Sequence, residues 1–322
     1  MLDKTKEDTG PSHDALRDEV RALMEREGLT QRHVAEESGI AYGTLTPYMG
    51  GTYQGNLARV AGDLQRWLET RRERSRTAAV LPAEPDFVLT PTAEEISGTL
   101  SFAQAAQDFA VIVGGAGIGK TRSIKHYAKR ASNVWVLTAE DSMKKPSSLL
   151  SVLAEDLDVS ERRNAFLSRA ISSRLRGTGG LVVVDEAQHL STEAFDQLRT
   201  TVLDVGECGV VAAGNESMLA RLQGSADKRA QGFAQLHSRV GMRKVQSGAK
   251  IKDVCLILAA WGITDAQSIA LLKAIARKPG ALRVMAKVIR LASMLAGASA
   301  ADITKAHVER AWAQLSSQQI DA

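Results

Sequence analysis

Apolar positions change their spacing along the chain, and the changes divide it. After a polar start over residues 1–12, apolar residues recur at helical intervals with short breaks from about 13 to 74. Residues 29–40 predict a helix with Thr30 as N-cap, Val34 and Ala35 on the inner face, and a glycine turn at Gly39. Residues 41–49 predict a second helix, closed by Gly50-Gly51. Pro47 removes a backbone bond there, which predicts a short or kinked helix. From about 93 to 245, short apolar runs alternate with helical segments. The runs at 109–113, 133–138, 181–185 and 210–214 read as buried strands, and the alternation implies a parallel sheet with helices on both faces. From about 250 onward the pattern is helical throughout, with Thr264-Asp265-Ala266-Gln267 resembling a capping box and long helical stretches at 281–295 and 303–315. The charged run Arg71-Arg72-Glu73-Arg74-Ser75-Arg76-Thr77, followed by Pro82, Pro85 and Pro91, reads as a linker. The expected division is 1–74, linker 75–92, an α/β core over 93–248 and a helical domain over 249–322.

The first strand of the core leads into Gly114-Gly115-Ala116-Gly117-Ile118-Gly119-Lys120-Thr121. This run fits G-x-x-x-x-G-K-[ST], and its strand and helix flanks are what a phosphate-cradling loop needs. Glycines let the backbone wrap round phosphate, and the N–H groups at the helix start point at it. Lys120 would reach the β- and γ-phosphates of ATP, and the Thr121 hydroxyl would bind Mg²⁺. A chance glycine-rich turn is the bland alternative, and the flanking elements argue against it. The run Leu181-Val182-Val183-Val184-Asp185-Glu186 is a strand ending in two carboxylates. Asp185 is a candidate Mg²⁺ holder, and Glu186 a candidate base for the attacking water. His189 reads as a packed or capping residue. Asn215, closing the strand Val210-Val211-Ala212-Ala213-Gly214, is a candidate sensor of the γ-phosphate or lytic water, with a turn-forming Gly-Asn as the plain alternative. Arg239 is a candidate arginine finger for a neighbouring subunit, with Arg221 and Arg229 competing for that role. Lys278-Pro279-Gly280-Ala281-Leu282-Arg283 opens a helix, and Arg283 in its first turn is a candidate phosphate contact.

Charge refines the picture. The net charge is only +4, so an acidic partner is permitted and not required. Residues 1–80 hold 12 basic and 13 acidic side chains. A helix-turn-helix there, with Tyr42, Thr44, Thr46 and Tyr48 as candidate DNA contacts, would therefore lack a basic field, and protein docking is the alternative use. Residues 242–322 hold 12 Lys/Arg against 5 Asp/Glu. Together with Lys228, Arg229, Arg243, Lys244, Lys250 and Lys252 near the junction, that excess suggests a nonspecific phosphate-binding surface. Aromatics at 4% exclude stacking platforms for single strands as the main device. Cys208 and Cys255 have no ligand-like spacing and read as reduced thiols. No apolar run approaches a membrane span, and the start Met1-Leu2-Asp3-Lys4 has no apolar leader core, so the expectation is a cytoplasmic chain.

Lys120, Asp185, Glu186, Asn215, Arg239 and Arg283 occur in the order of Walker A, Walker B, sensor 1, finger and sensor 2, so the chain resembles the AAA+ ATPases. The helix-turn-helix ending Leu64-Gln65-Arg66-Trp67-Leu68-Glu69, the linker Leu81-Pro82-Ala83-Glu84-Pro85 and the tail motif at 278–283 narrow this further. With Asn133-Val134-Trp135 and Gly214-Asn215, they resemble the Mu B transposition protein family of phages along nearly the whole chain. The resemblance implies an AAA+ core with a helical C-terminal lid and an ATPase that binds double-stranded DNA without sequence preference. It further implies ATP-dependent helical filaments on DNA, target capture for a DDE transposase, stimulation of strand transfer, and target immunity through hydrolysis. A helicase-loader-like remodelling ATPase and a nucleotide-switched transcription regulator are the competing classes. Glu186 and a candidate finger favour hydrolysis over a passive switch.

Overall fold

The computed structural model describes residues 13–80, 82–218, 240–297 and 299–316, with side chains as far as residue 76 in the first stretch. The chain divides into two compact units, Met1–Leu81 and Pro82–Ala322.

Among the described residues the first unit is helical: α1 (His13–Glu27), α2 (Gln31–Ser38), α3 (Tyr42–Met49) and α4 (Leu57–Val80). The Thr30 side chain accepts from the His33 amide, and the His33 ring accepts from the Thr30 amide in return, which fixes the start of α2. Gly39 takes the left-handed conformation at φ 73° and ends it. Leu16, Val20, Val34, Leu45, Tyr48 and Leu64 close the core of this unit. Pro47 lies inside α3, which is only eight residues long. Helix α4 continues through the charged run that the sequence pattern assigns to a linker. Arg71 pairs with Glu27 and Glu37, and Arg72 with Glu19, so these charges fold onto α1 and α2 instead of loosening the chain.

The second unit opens with α5 (Pro91–Ala106), capped by the Thr90 side chain. Then come β1 (Phe109–Gly114), α6 (Lys120–Ala128), β2 (Val134–Thr138), α7 (Pro146–Asp156), α8 (Asn164–Leu175) and β3 (Leu181–Asp185). Helix α9 (Thr192–Leu198), β4 (Gly209–Gly214) and β5 (Val240–Gln246) complete an α/β core. The described strands form a parallel sheet in the order β2-β3-β4-β1-β5. Strands β1, β3 and β4 are buried throughout and alternate between two cores. Phe109, Val111, Val182, Val184, Val210 and Ala212 face the side covered by α7, α8 and α9. Ala110, Ile112, Leu181, Val183, Val211 and Ala213 meet Ile96, Leu100 and Ala103 of α5 and Ile124 of α6. This order brings the C-terminal ends of β3, β4 and β1 side by side, where an open parallel sheet binds its ligands.

The helical lid comprises α10 (Ile251–Ala260), α11 (Ala266–Ala276), α12 (Ala281–Ala296) and α13 (Lys305–Ser316). It has its own core, including Leu258, Leu272, Met285, Val288, Val308 and Trp312. The cap of α11 is Asp265, one residue later than the expected Thr264. Its carboxylate accepts the Ser268 amide at 2.7 Å and is a stronger acceptor than a hydroxyl. Buried Asp253 of α10 accepts from the Thr92 amide at 3.2 Å and from the Thr92 hydroxyl, fastening α10 to the start of α5.

Candidate nucleotide-binding site

The loop between β1 and α6 is shaped by what its glycines touch. A Cβ on Gly115 would lie 2.1 Å from the Ser247 carbonyl oxygen, and one on Gly117 would lie 2.0 Å from that of Gly280. Gly117 also needs φ +81°. The loop is thus pressed between the end of β5 and the first residues of the lid helix α12. Gly119, at φ 103°, caps α6 and turns the amides of its first turn toward the loop.

Lys120 is buried, and its Nζ donates to the carbonyls of Gly114 at 2.7 Å and Gly115 at 3.1 Å. Burial holds its ammonium below the usual lysine range. Glu186, Asp185 and Glu216 oppose that shift, while Arg283 adds to it. The Thr121 hydroxyl donates to Asp185 Oδ2 at 2.6 Å, and the other oxygen of this buried carboxylate accepts the Glu186 amide at 3.0 Å. Glu186 has a left-handed backbone at φ 54°, ψ 33°. Asn215 Oδ1 accepts from the Ser217 amide at 3.0 Å and its hydroxyl at 2.6 Å. The donor end of the Asn215 carboxamide therefore turns away from Ser217.

These groups border one cavity of about 530 Å³. The phosphate loop, Glu186 and Asn215 form its floor, and Ile257, Trp261, Leu282 and Arg283 of the lid region face them. The structure therefore brings together Ala116, Gly117, Ile118, Gly119, Lys120, Thr121, Glu186, Asn215 and Arg283, with Gly114, Gly115 and Asp185 bonded directly behind them. Arg239, Arg221 and Arg229 lie outside the described residues.

Sequence pattern alone misses two walls of this cavity. Residues 84–88 and Thr90, which read as linker, line it. Phe87 stacks on His126 of α6 with ring centroids 3.8 Å apart, and Glu84 pairs with Arg122 at 3.8 Å and with Arg290 at 3.2 Å. Lys287 and Arg290 also reach the cavity. They follow Arg283 at i+4 and i+7, a helical spacing that carries the signal for a basic row on one face of α12.

Other expectations change. Tyr48 is fully buried, bonded to His13 at 3.1 Å and covered by Arg17, so it is a core residue and not a groove contact. Tyr42 remains 55% exposed, and Thr46 bonds Gln31 at 3.0 Å. Lys244 and Lys250 both pair with Glu95, whose carboxyl they hold below the usual range, so this carboxylate offsets one of their two charges. His189 bonds Asp141 at 3.2 Å. Among the described residues no group of His, Cys, Asp and Glu forms a metal cluster, and no helix is long and apolar enough to cross a membrane.

Residues 104–222 match the AAA domain family, and residues 238–315 match the family described as Mu B transposition protein, C terminal. The chain is 35% identical over 302 residues to the ATP-dependent target DNA activator B of Escherichia phage Mu, covering 93% of this chain and 95% of that protein. It is 35% identical over 260 residues to the Mu-like prophage FluMu DNA transposition protein B of Haemophilus influenzae, covering 80% and 89%. A solved structure of Drosophila ORC bound to DNA shares the fold at a TM-score of 0.50 and 14% identity, over 74% of this chain and 64% of that one. The chain is an AAA ATPase, and it belongs to the Mu B family of transposition proteins.

Proposed function

We propose that this ATPase assembles on double-stranded DNA in its ATP-bound form, with little sequence preference, and presents that DNA to a DDE transposase for strand transfer. Hydrolysis then returns the protein to a form that releases DNA. The observation that carries the reading is the convergence of Lys120, Thr121, Glu186, Asn215 and Arg283 on one cavity, with Asp185 bonded to Thr121 behind it, in a chain that aligns over most of its length with a target DNA activator.

Each residue has a role that its surroundings support. Lys120 leaves its two carbonyl partners for the β- and γ-phosphates, where its charge is worth more than in water because the site is buried. Thr121 and Asp185 offer a hydroxyl and a carboxylate oxygen 2.6 Å apart, hard donors of the kind Mg²⁺ takes. The ion would supply positive charge against that of the phosphates. Glu186 accepts a proton from the attacking water as its oxygen bonds the γ-phosphorus and the bond to ADP breaks. Asn215 presents its amide donor to the γ-phosphate or to that water. Arg283 approaches from the lid, so phosphate binding draws the lid helix onto the phosphate loop. Arg239 of a neighbouring copy supplies the finger in an ATP-dependent helical filament.

The lid and junction cations that remain exposed, including Lys252 and Arg277, supply part of a phosphate-backbone contact. The test is retention of linear duplex DNA with ATP, with ADP and without nucleotide. Lys120→Ala should bind neither ATP nor, under ATP, DNA. Glu186→Gln should retain DNA long after the wild type has let go. Normal retention by Lys120→Ala would defeat the reading.

A further inference from the structure

None of these roles uses Gln188, which lies in the turn after β3. Its Nε2 donates to Glu186 Oε2 at 2.6 Å, and its Oε1 accepts the backbone amide of Asn215 at 3.3 Å. One carboxamide therefore joins the carboxylate after β3 to the residue that follows β4. The neighbouring backbone is shaped for this bridge. A Cβ on Gly214 would come within 2.8 Å of Gln188 Oε1, so a larger residue there would push the amide aside. The left-handed backbone of Glu186 is held independently. Its amide donates to Asp185 Oδ1 at 3.0 Å, and its carbonyl accepts from His189 at 3.1 Å. Gln188 thus fixes where the Glu186 carboxylate points.

While it lasts, this short amide bond fixes the direction of the carboxylate, and a carboxylate turned toward an attacking water has exchanged it. The same exchange is needed of Lys120, bonded to its own loop, and of Thr121, bonded to Asp185. We propose that Gln188 is a positioning residue that restrains Glu186 and couples its release to movement of the strand end carrying Asn215. Resting on the reading of Glu186 as the base, it means that a γ-phosphate drawing on Asn215 loosens the bridge and frees the carboxylate. Turnover then waits for a correctly seated triphosphate.

The test is steady-state ATPase of the full chain carrying Gln188→Ala or Gln188→Met, the second keeping most of the side-chain volume. In both, kcat should rise roughly tenfold, the scale of one lost hydrogen bond to a charged group. KM for ATP should stay within about twofold, because no binding contact is removed. The double variant Glu186→Gln/Gln188→Ala should be as inactive as Glu186→Gln alone, since the gain passes through that carboxylate. A kcat unchanged or lowered in both single variants overturns the restraint. Wild-type turnover by Glu186→Gln would instead overturn the assignment of the base, a separate failure.

Discussion

The glycine at 117 illustrates how tightly single residues are specified at this site. Alanine there meets the Gly280 carbonyl and a backbone at φ +81°. We expect Gly117→Ala to cost about 1–3 kcal/mol of stability and to abolish ATP binding. Thermal melting with and without ATP reads both effects, and an unchanged ATP-induced rise in Tm would contradict the packing. The glycine motif, Asp185 and Glu186 were legible in the sequence because their chemistry follows from residue types at fixed spacing. Gln188 was not, because a glutamine two residues past a carboxylate has many uses. Its bridge exists only once β3 and β4 lie side by side. Tyr48 misled for the opposite reason. At a helix end it reads as a groove contact, yet α1 folds over it and makes it core.

At the scale of elements, β1, β3 and β4 were readable because strands buried on both faces are continuous apolar runs. Strand β5 was not. It borders only β1 among the described strands, carries Arg243 and Lys244, and is largely exposed, as an edge strand can be. Residues 84–90 likewise have no periodicity, since their conformation depends on Arg122, His126 and Arg290 far along the chain. The tie between α10 and α5 through Asp253 belongs to this scale. Asp253→Ala leaves the buried Thr92 amide without its acceptor and should lower stability by about 2–3 kcal/mol in denaturant unfolding. A change under about 0.5 kcal/mol would mean that the tie is dispensable. In the first unit, the Trp67 indole and then Arg71 hold the Glu37 carboxyl below its usual range. A depressed carboxyl contributes stability that is complete above the unfolded value, about 4.3, and is lost as pH falls through the folded value. Glu37→Gln should therefore weaken this unit at neutral pH and flatten its loss of stability on acidification. Parallel pH-stability curves for variant and wild type would contradict that.

Over the whole molecule, composition permitted DNA binding without locating it. The net charge of +4 is small, and Glu95 offsets one of the two charges of Lys244 and Lys250 in the expected basic cluster. Binding through the remaining exposed cations should still be dominated by phosphate. With several such contacts, ATP-dependent affinity should fall by roughly a thousandfold between about 50 and 200 mM salt and vary little with sequence. A sharp sequence preference insensitive to salt would favour a transcription regulator. The proposed function joins nucleotide and DNA in an assembly on duplex, with the site at the end of the sheet as its switch. Electron microscopy of the protein on linear duplex DNA, with ATP, with ADP and without nucleotide, tests this most directly. We predict continuous protein-coated DNA with ATP alone, persistent coating by Glu186→Gln, and bare DNA with Lys120→Ala. Equal coating in all three nucleotide conditions, or coating by Lys120→Ala, would contradict the switch.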